Sequence, residues 1–384
     1  MGLFSPSTQR KRNMKVLILS CSTGEGHNSA AYAVSQALEK RGAACVLSDP
    51  VGFQSERAKN IVNAAYNNLI KKVPAAFGVI YKAGDWYSGT DLPSPIYHAN
   101  SHYADKLYEY IVEEGFDAVV STHLYGMEAM TAIYDRTALN IPCYGVLTDY
   151  TCIPFFGETR ITEYFIPHED LKAEMTEKGI PEDRILTTGI PVREQFQESL
   201  SRQQARNYLA LPQDQKVILI MTGGIGGGNA AALCRELRHR ADGNTLVFVL
   251  CGRNSELKEK IEEEFADSPQ IQAVTFTKKV NLYMKAADVL ISKPGGISSS
   301  EAAAVGIPLV HTMAIPGCET KNAEFFEARG LSVNAPSLKI AADAAMQIVN
   351  DPRRAERMVA RQRETIHPDG AQRIAAYILE AHHG

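Results

Sequence analysis

The stretch "KVLILSCSTGEGHNSAA", residues 15–31, joins an apolar run to a glycine-bearing turn and then to a helix-forming segment. Residues 16–19 of it are four apolar residues in a row, as a strand covered on both faces requires. The same opening returns as "KVILIMTGGIGGGN", residues 216–229. After the first opening, buried strands are expected at residues 15–20, 44–49, 117–122, 143–149, 163–167 and 184–189. After the second they are expected at 216–224, 245–252, 271–277, 288–293 and 308–312. Helix-period segments separate most of them. Near-continuous apolar strands alternating with helices specify parallel sheets covered on both faces, so the chain reads as α/β, with two doubly wound Rossmann-like domains.

The length of 384 residues agrees with two domains at about 100–200 residues each. Gly189 and Pro191 mark a turn, and a charged polar helix follows before the second sheet, which places the boundary near residue 192. The organisation is then a disordered tail over 1–13, an N-terminal domain over 14–192 and a C-terminal domain over 193–364. A last helix over 365–384, with Ile374, Ile378 and Leu379 on one face, is expected to pack back on the first domain. A net charge of −4 gives no broad basic face for nucleic acid. Seven scattered cysteines without a CxxC pair suit a reduced, cytoplasmic setting. No apolar run approaches the ~20 residues that span a bilayer. Arg10, Lys11 and Arg12 offer weak contact with an anionic membrane and are otherwise a solvated tail.

Residues 53–112 are too long for one crossover helix. They carry Trp86, the chain's single tryptophan, together with Phe53, Tyr66, Phe77, Tyr81, Tyr87, Tyr97, Tyr103 and Tyr108. An aromatic, glycine-interrupted insertion above a sheet suits an acceptor mouth or a membrane-facing surface; an ordinary packed insertion is the plainer reading. His98 and His102 share a helix face, but no third ligand stands near, and no metal site is expected.

Three loops carry the chemistry. The first, with Gly24, Gly26 and His27, fails the phosphate-loop pattern because it ends GHNS, and fails the dinucleotide fingerprint at Ser29 and Ala30. His27 is then a neutral imidazole at a helix N-terminus, suited to deprotonating a hydroxyl; as a plain reading it caps the helix. The second, "SKPGGISSSEAAAVGIP" at 292–308, sets Gly295 and Gly296 in a turn and opens a helix on Ser298, Ser299, Ser300 and Glu301. Its first amides suit a diphosphate, and Glu301 suits the two hydroxyls of a ribose or, more plainly, offsets the helix dipole. The third, 222–229, contains Gly223 and Gly224 and again lets backbone approach phosphate. A cleft between two such domains is a natural donor–acceptor site.

The stretches "STGEGHNSAA", "VLTDY", "TTGIPVREQF", "VLCGRN", "ISKPGGISSSEAAAVGIPLV" and "PGCETKNAEFF" together resemble the GT-B glycosyltransferases. Among these the chain resembles the monogalactosyldiacylglycerol synthase and processive diacylglycerol glucosyltransferase family. The resemblance implies transfer of a hexose from a UDP-sugar to a lipid hydroxyl, with inversion, no metal ion and no cofactor, since the UDP-sugar is a substrate. Diacylglycerol or a glycosyldiacylglycerol would be the acceptor, and the enzyme would lie peripherally on the inner face of the cell membrane. His27 would be the general base. Gly223, Gly224, Gly295, Gly296, Ser298, Ser299 and Ser300 would surround the diphosphate, with Arg253 near the nucleotide and Phe276 at the uracil. Glu301 would meet the ribose, and Glu319 and Asn322 the sugar hydroxyls. Gly24, Gly26, Trp86, His123, Asp149 and Tyr150 would form the acceptor side. The chain departs from the family at Cys318, where glutamine is common, and at Ile153 and Phe156, where several relatives carry histidine and tryptophan.

Two other readings remain open on the residues. One is a UDP-sugar epimerase or hydrolase on the same fold, which needs no acceptor mouth. The other is a non-catalytic nucleotide-sugar-binding protein.

Overall fold

The computed structural model describes residues 13–21, 25–55, 74–88, 92–223 and 229–383. The basic tail with Arg10, Lys11 and Arg12, and also Gly24, Tyr66 and Gly224, lie outside the described residues.

The first half runs β1 (Lys15–Leu19), α1 (Glu25–Glu39), β2 (Ala44–Ser48), α2 (Pro74–Tyr87), α3 (Pro95–Ser101), α4 (Ala104–Glu114), β3 (Ala118–Ser121), α5 (Leu124–Arg136), β4 (Cys143–Val146), β5 (Glu163–Ile166), α6 (Leu171–Glu177) and β6 (Ile185–Thr187). The second runs α7 (Arg202–Tyr208), β7 (Lys216–Met221), α8 (Ala230–Arg238), β8 (Thr245–Gly252), α9 (Ser255–Glu264), β9 (Ile271–Thr275), α10 (Val280–Ala286), β10 (Val289–Ser292), α11 (Gly296–Val305), β11 (Leu309–Thr312), α12 (Cys318–Ala328), β12 (Val333–Ala335), α13 (Leu338–Asn350), α14 (Pro352–Thr365) and α15 (Gly370–His383). Each expected apolar run forms a strand. β12 is the addition: it is three residues long and partly exposed, so it offers no apolar run to read.

All described strand pairs are parallel, in the orders β2-β1-β3-β4-β5-β6 and β12-β11-β10-β7-β8-β9. In each sheet the order reverses beside the first strand, between β1 and β3 and between β7 and β10. At such a switch point the loops diverge to opposite faces and leave a crevice at the carboxyl ends. Residues 20–21, 25–27 and 122–123 edge the first crevice, and 222–223 and 293–296 the second. α15 packs on the N-terminal half: Ala371, Ile374, Ala375 and Ile378 share one buried cluster with Val16, Ile18 and Val34.

The insertion is built around a buried carboxyl. Glu128 on α5 is fully buried and accepts from the Asn100 amide of α3, which in turn accepts from the Tyr103 hydroxyl at 2.6 Å. Glu158 accepts from the main-chain N–H and hydroxyl of Ser94, the residue that caps α3, at 2.8 and 2.5 Å. Burial holds the Glu128 carboxyl well above the ordinary range; the Asn100 amide opposes this and the neighbouring Glu158 reinforces it. A carboxyl raised by folding stabilises the protein in its protonated form, and that contribution is lost as pH rises through the folded value. The melting temperature of the native protein should therefore fall from about pH 5 to about pH 9 more steeply than that of Glu128→Gln, which has no proton to lose. Parallel melting curves of the two would contradict this.

Candidate active site

β1 ends beneath the crevice, and α1 begins soon after, so His27 stands in the helix's first turn at the carboxyl edge of the sheet. Its Nδ1 lies 2.9 Å from the Thr122 carbonyl oxygen and 3.2 Å from the Thr148 hydroxyl. A carbonyl only accepts, so Nδ1 carries the proton and the lone pair resides on Nε2. The Thr122 hydroxyl donates to the His27 carbonyl at 3.1 Å and fixes the turn from the other side. Desolvation lowers the His27 pKa; the Asp149 charge and the Thr122 bond oppose the shift.

His123, at the end of β3, caps α5 by accepting from the Tyr125 N–H at 3.2 Å. That bond places its proton on Nε2. Its ring meets that of His27 edge-on, with centroids 4.6 Å apart. Burial, together with the neighbouring His27, holds its pKa well below the ordinary value. Two adjacent imidazoles, each desolvated, are both neutral at physiological pH.

The loop after β4 ties this edge to the second half. The position of a Cβ added to Gly296 falls 2.0 Å from the Thr148 carbonyl oxygen, so no side chain fits there. Thr148 thus touches His27 through its hydroxyl and the start of α11 through its carbonyl. α11 begins at Gly296 after Gly295, with no side chain capping its first amides. Gly26 of α1 is close to Ile297 in the same turn. Asn322, fully buried on α12, donates to Asp149 Oδ1 at 2.7 Å and to the Pro294 carbonyl at 3.0 Å, and accepts from the Tyr150 N–H at 2.7 Å. Tyr150 lies in the C-terminal half's core, stacked on Phe325 at 4.4 Å, with its hydroxyl 2.8 Å from Ser300 Oγ.

The serines divide. Ser300 donates to the Gly296 carbonyl at 2.8 Å, so the Tyr150 hydroxyl is the donor in their mutual bond. Ser299 is fully buried against His311 Nε2 at 2.9 Å, and His311 Nδ1 meets Ser332 at 3.1 Å. Burial takes the His311 pKa down to about 3, so this link is neutral. Ser298 alone of the three is partly exposed, and its hydroxyl donates to the Gly295 carbonyl at 3.2 Å.

Glu301 reaches the opposite half. It accepts from the Ser29 hydroxyl of α1 at 3.0 Å and lies 3.5 Å from Arg193. Burial raises its pKa, and Arg193 and Ser29 pull it back. Glu319 accepts from the Ile315 N–H at 2.7 Å; its carboxyl is raised by burial and opposed by Lys293. Gly223 adopts the left-handed conformation at the end of β7. Arg253, just past β8, lies over the exposed Phe276 ring at 5.1 Å, a cation–π pair beside the second crevice. Trp86 on α2 is 78% exposed and stands apart from this cluster of contacts. His98 is exposed beside Tyr97, and among the described residues no group of three or more His, Cys, Asp or Glu side chains could hold a metal ion.

Sequence reasoning did not single out Thr122, Thr148, Ser29, Arg193 or His311. Thr148 and Arg193 do stand in "VLTDY" and "TTGIPVREQF", the stretches that carry the resemblance. Ser29 likewise stands in "STGEGHNSAA", whereas Thr122 and His311 act only through contacts across the fold.

The family described as Monogalactosyldiacylglycerol (MGDG) synthase matches residues 27–192, and the Glycosyltransferase family 28 C-terminal domain matches residues 217–373. A processive diacylglycerol beta-glucosyltransferase of Bacillus cytotoxicus is 28% identical over 97% of this chain and 95% of its own length. Among solved structures, MurG of Acinetobacter baumannii superposes with a TM-score of 0.65 at 14% identity, covering 96% of this chain and 99% of that one. A putative UDP-N-acetylglucosamine 2-epimerase of Listeria monocytogenes gives 0.64 at 14% identity, covering 96% of each chain. At such identity these two likenesses concern the fold alone.

Gly296→Ala should force the two halves apart at Thr148, because the added carbon has no free volume to enter. Small-angle scattering should show a larger radius of gyration, with each half still folded by circular dichroism. An unchanged radius would show that the contact yields locally.

Proposed function

Because the chain belongs to the glycosyltransferases that join a monogalactosyldiacylglycerol synthase half to a family 28 half, we propose that it moves a hexose from a UDP-sugar to the hydroxyl of diacylglycerol or a glycosyldiacylglycerol. The observation that carries this reading is the double contact of Thr148. It sets His27 and the uncapped start of α11 on either side of one backbone segment, which supports reading the first as a base and the second as a leaving-group site.

In this reading Nε2 of His27 takes the acceptor hydroxyl's proton as the oxygen bonds to the anomeric carbon. The bond from that carbon to the diphosphate oxygen breaks, and UDP leaves with the electron pair. A single displacement inverts the carbon. The first amides of α11 and its dipole would receive the charge that develops on the diphosphate, in place of a metal ion. Glu301 would exchange Ser29 for ribose hydroxyls, and Phe276 with Arg253 would face the base. The exposed Trp86 and Leu92, at 78% and 66%, supply apolar surface on the acceptor side for contact with a lipid layer. No helix among the described residues is long and apolar enough to cross a membrane.

His27→Ala should lower turnover by about 10²–10⁴-fold while UDP still binds, since general-base catalysis contributes on that scale. Near-normal turnover would remove His27 from the mechanism. Assay with UDP-hexoses and diacylglycerol, with the product identified by mass spectrometry, tests the reaction itself. Turnover should persist in excess chelator.

The pH profile follows from the direction of the His27 shift. A lowered pKa keeps the imidazole neutral to lower pH, so the acid limb of kcat/KM should lie below the ordinary imidazole value of about 6.5. Asp149 opposes that shift, so Asp149→Asn should move the limb to still lower pH. A limb moving upward would show that Asp149 does not act through His27.

A further inference from the structure

Helix α2 belongs to the first half by sequence, yet it touches both halves. On the first half, the Ser88 hydroxyl accepts from the Phe155 N–H at 2.8 Å, Asp85 pairs with Lys178 at 2.7 Å, and a Cβ at Gly84 would lie 3.0 Å from the Phe155 ring. On the second half it rests on the loop that leads into α12. A Cβ added to Gly78 would lie 2.6 Å from Pro316, and one added to Gly317 would lie 2.9 Å from the Tyr81 ring. Gly317 has φ +118°, a conformation that side chains rarely adopt, so both space and backbone hold this position to glycine. The fit is reciprocal: the helix lacks a side chain where the loop bears Pro316, and the loop lacks one where the helix bears Tyr81.

Tyr81 is partly buried where α2 meets the loop before α12. Burial raises its hydroxyl pKa, and Cys318, Asp85, Asp149 and Glu174 act on it in that order. Cys318 adjoins Glu319, and Asp149 bears on both His27 and Glu319. The Tyr81 ring thus lies against Gly317, the residue that immediately precedes Cys318 and Glu319 at the start of α12.

We propose that α2 is a cover over the hexose end of the donor cleft, seated by Gly78 and Gly317, and that Tyr81 is the side chain through which it contacts the hexose and discriminates between hexoses. This rests on the reading of the cleft as a UDP-hexose site and adds a residue to it from the opposite half. It also accounts for the insertion lying over both halves: a wall donated by the acceptor domain closes the sugar pocket only when the halves meet.

The test is calorimetric binding of UDP, UDP-glucose and UDP-galactose to the full chain. The variants are Tyr81→Ala, Tyr81→Phe and Gly317→Ala, with Lys82→Ala, exposed on the same helix, as control. Tyr81→Ala should lose about tenfold in affinity for the preferred UDP-hexose and narrow the preference between the two, while UDP affinity stays within about twofold, as expected for one wall of a sugar pocket. Tyr81→Phe should keep most of the hexose preference, and Lys82→Ala all of it. Gly317→Ala should reproduce Tyr81→Ala by displacing the ring. Should Gly317→Ala fail to fold, Tyr81→Ala decides. Equal losses for UDP and UDP-hexose would mean that Tyr81 only supports the packing, and would overturn the proposal, as would no loss at all. If the native protein binds UDP but gains nothing from either hexose, the UDP-hexose reading fails and the proposal fails with it.

Discussion

The contact on which the rest depends is the side-chain amide of Asn322. It is fully buried, and its two N–H groups and one carbonyl are all engaged, with the Asp149 carboxylate, the Pro294 carbonyl and the Tyr150 N–H. Two of these partners belong to the first half, and the third stands just before α11. A neutral bond of this kind is worth about 0.5–1.5 kcal/mol net and one to a charged group about 1.5–3, but leaving any of the three buried groups unpaired adds a penalty of similar size. One amide therefore ties the edge that bears His27 to the start of α11 across from it. Tyr150 strengthens the hold by placing its ring among the second half's phenylalanines.

That geometry decides protonation states. Thr122 and Thr148 can hold His27 only if its Nδ1 is the protonated nitrogen, and closure around the ring disfavours the imidazolium. The Asp149 carboxylate favours it, and the shift remains downward because desolvation of the ring outweighs that attraction. The same closure acts on His311, which is fully buried. There it yields a neutral linker from Ser299 of α11 to Ser332 before β12, so α11 is held by a contact that stays uncharged near neutral pH.

The two sheets were legible because their central strands are buried on both faces and read as unbroken apolar runs, and because each half begins with the same strand-turn-helix pattern. β12 was not, since Val333–Ala335 is too short and too polar for that signal. His27, Gly296 and Glu301 could be singled out because each sits in a turn whose position relative to a strand is fixed by local sequence. The inward course of Tyr150, the three bonds of Asn322 and the link from Ser299 to His311 depend on contacts between segments far apart in the chain. An asparagine beside a candidate sugar site reads as a sugar ligand in sequence. In the fold its hydrogen-bonding groups are already engaged between the halves. Tyr81 was one aromatic among many, and only the glycine opposite it, in the other half, distinguishes it.

Glu301 carries the same constraint into ligand binding. A carboxylate taken out of water needs partners, because isolated burial of charge is costly. Ser29 supplies a hydroxyl and Arg193 a positive charge, yet burial still raises the pKa, so the pair compensates only in part. A vicinal diol that replaced Ser29 would offer two hydroxyls where one stands now. Its binding would then be an exchange of partners around a group already paired, and the gain would be the difference between the two sets. It also links donor binding to domain position, because the hydroxyl displaced belongs to α1, the helix that carries His27. On the proposed function, a ligand at Glu301 would therefore loosen a contact between the halves next to His27.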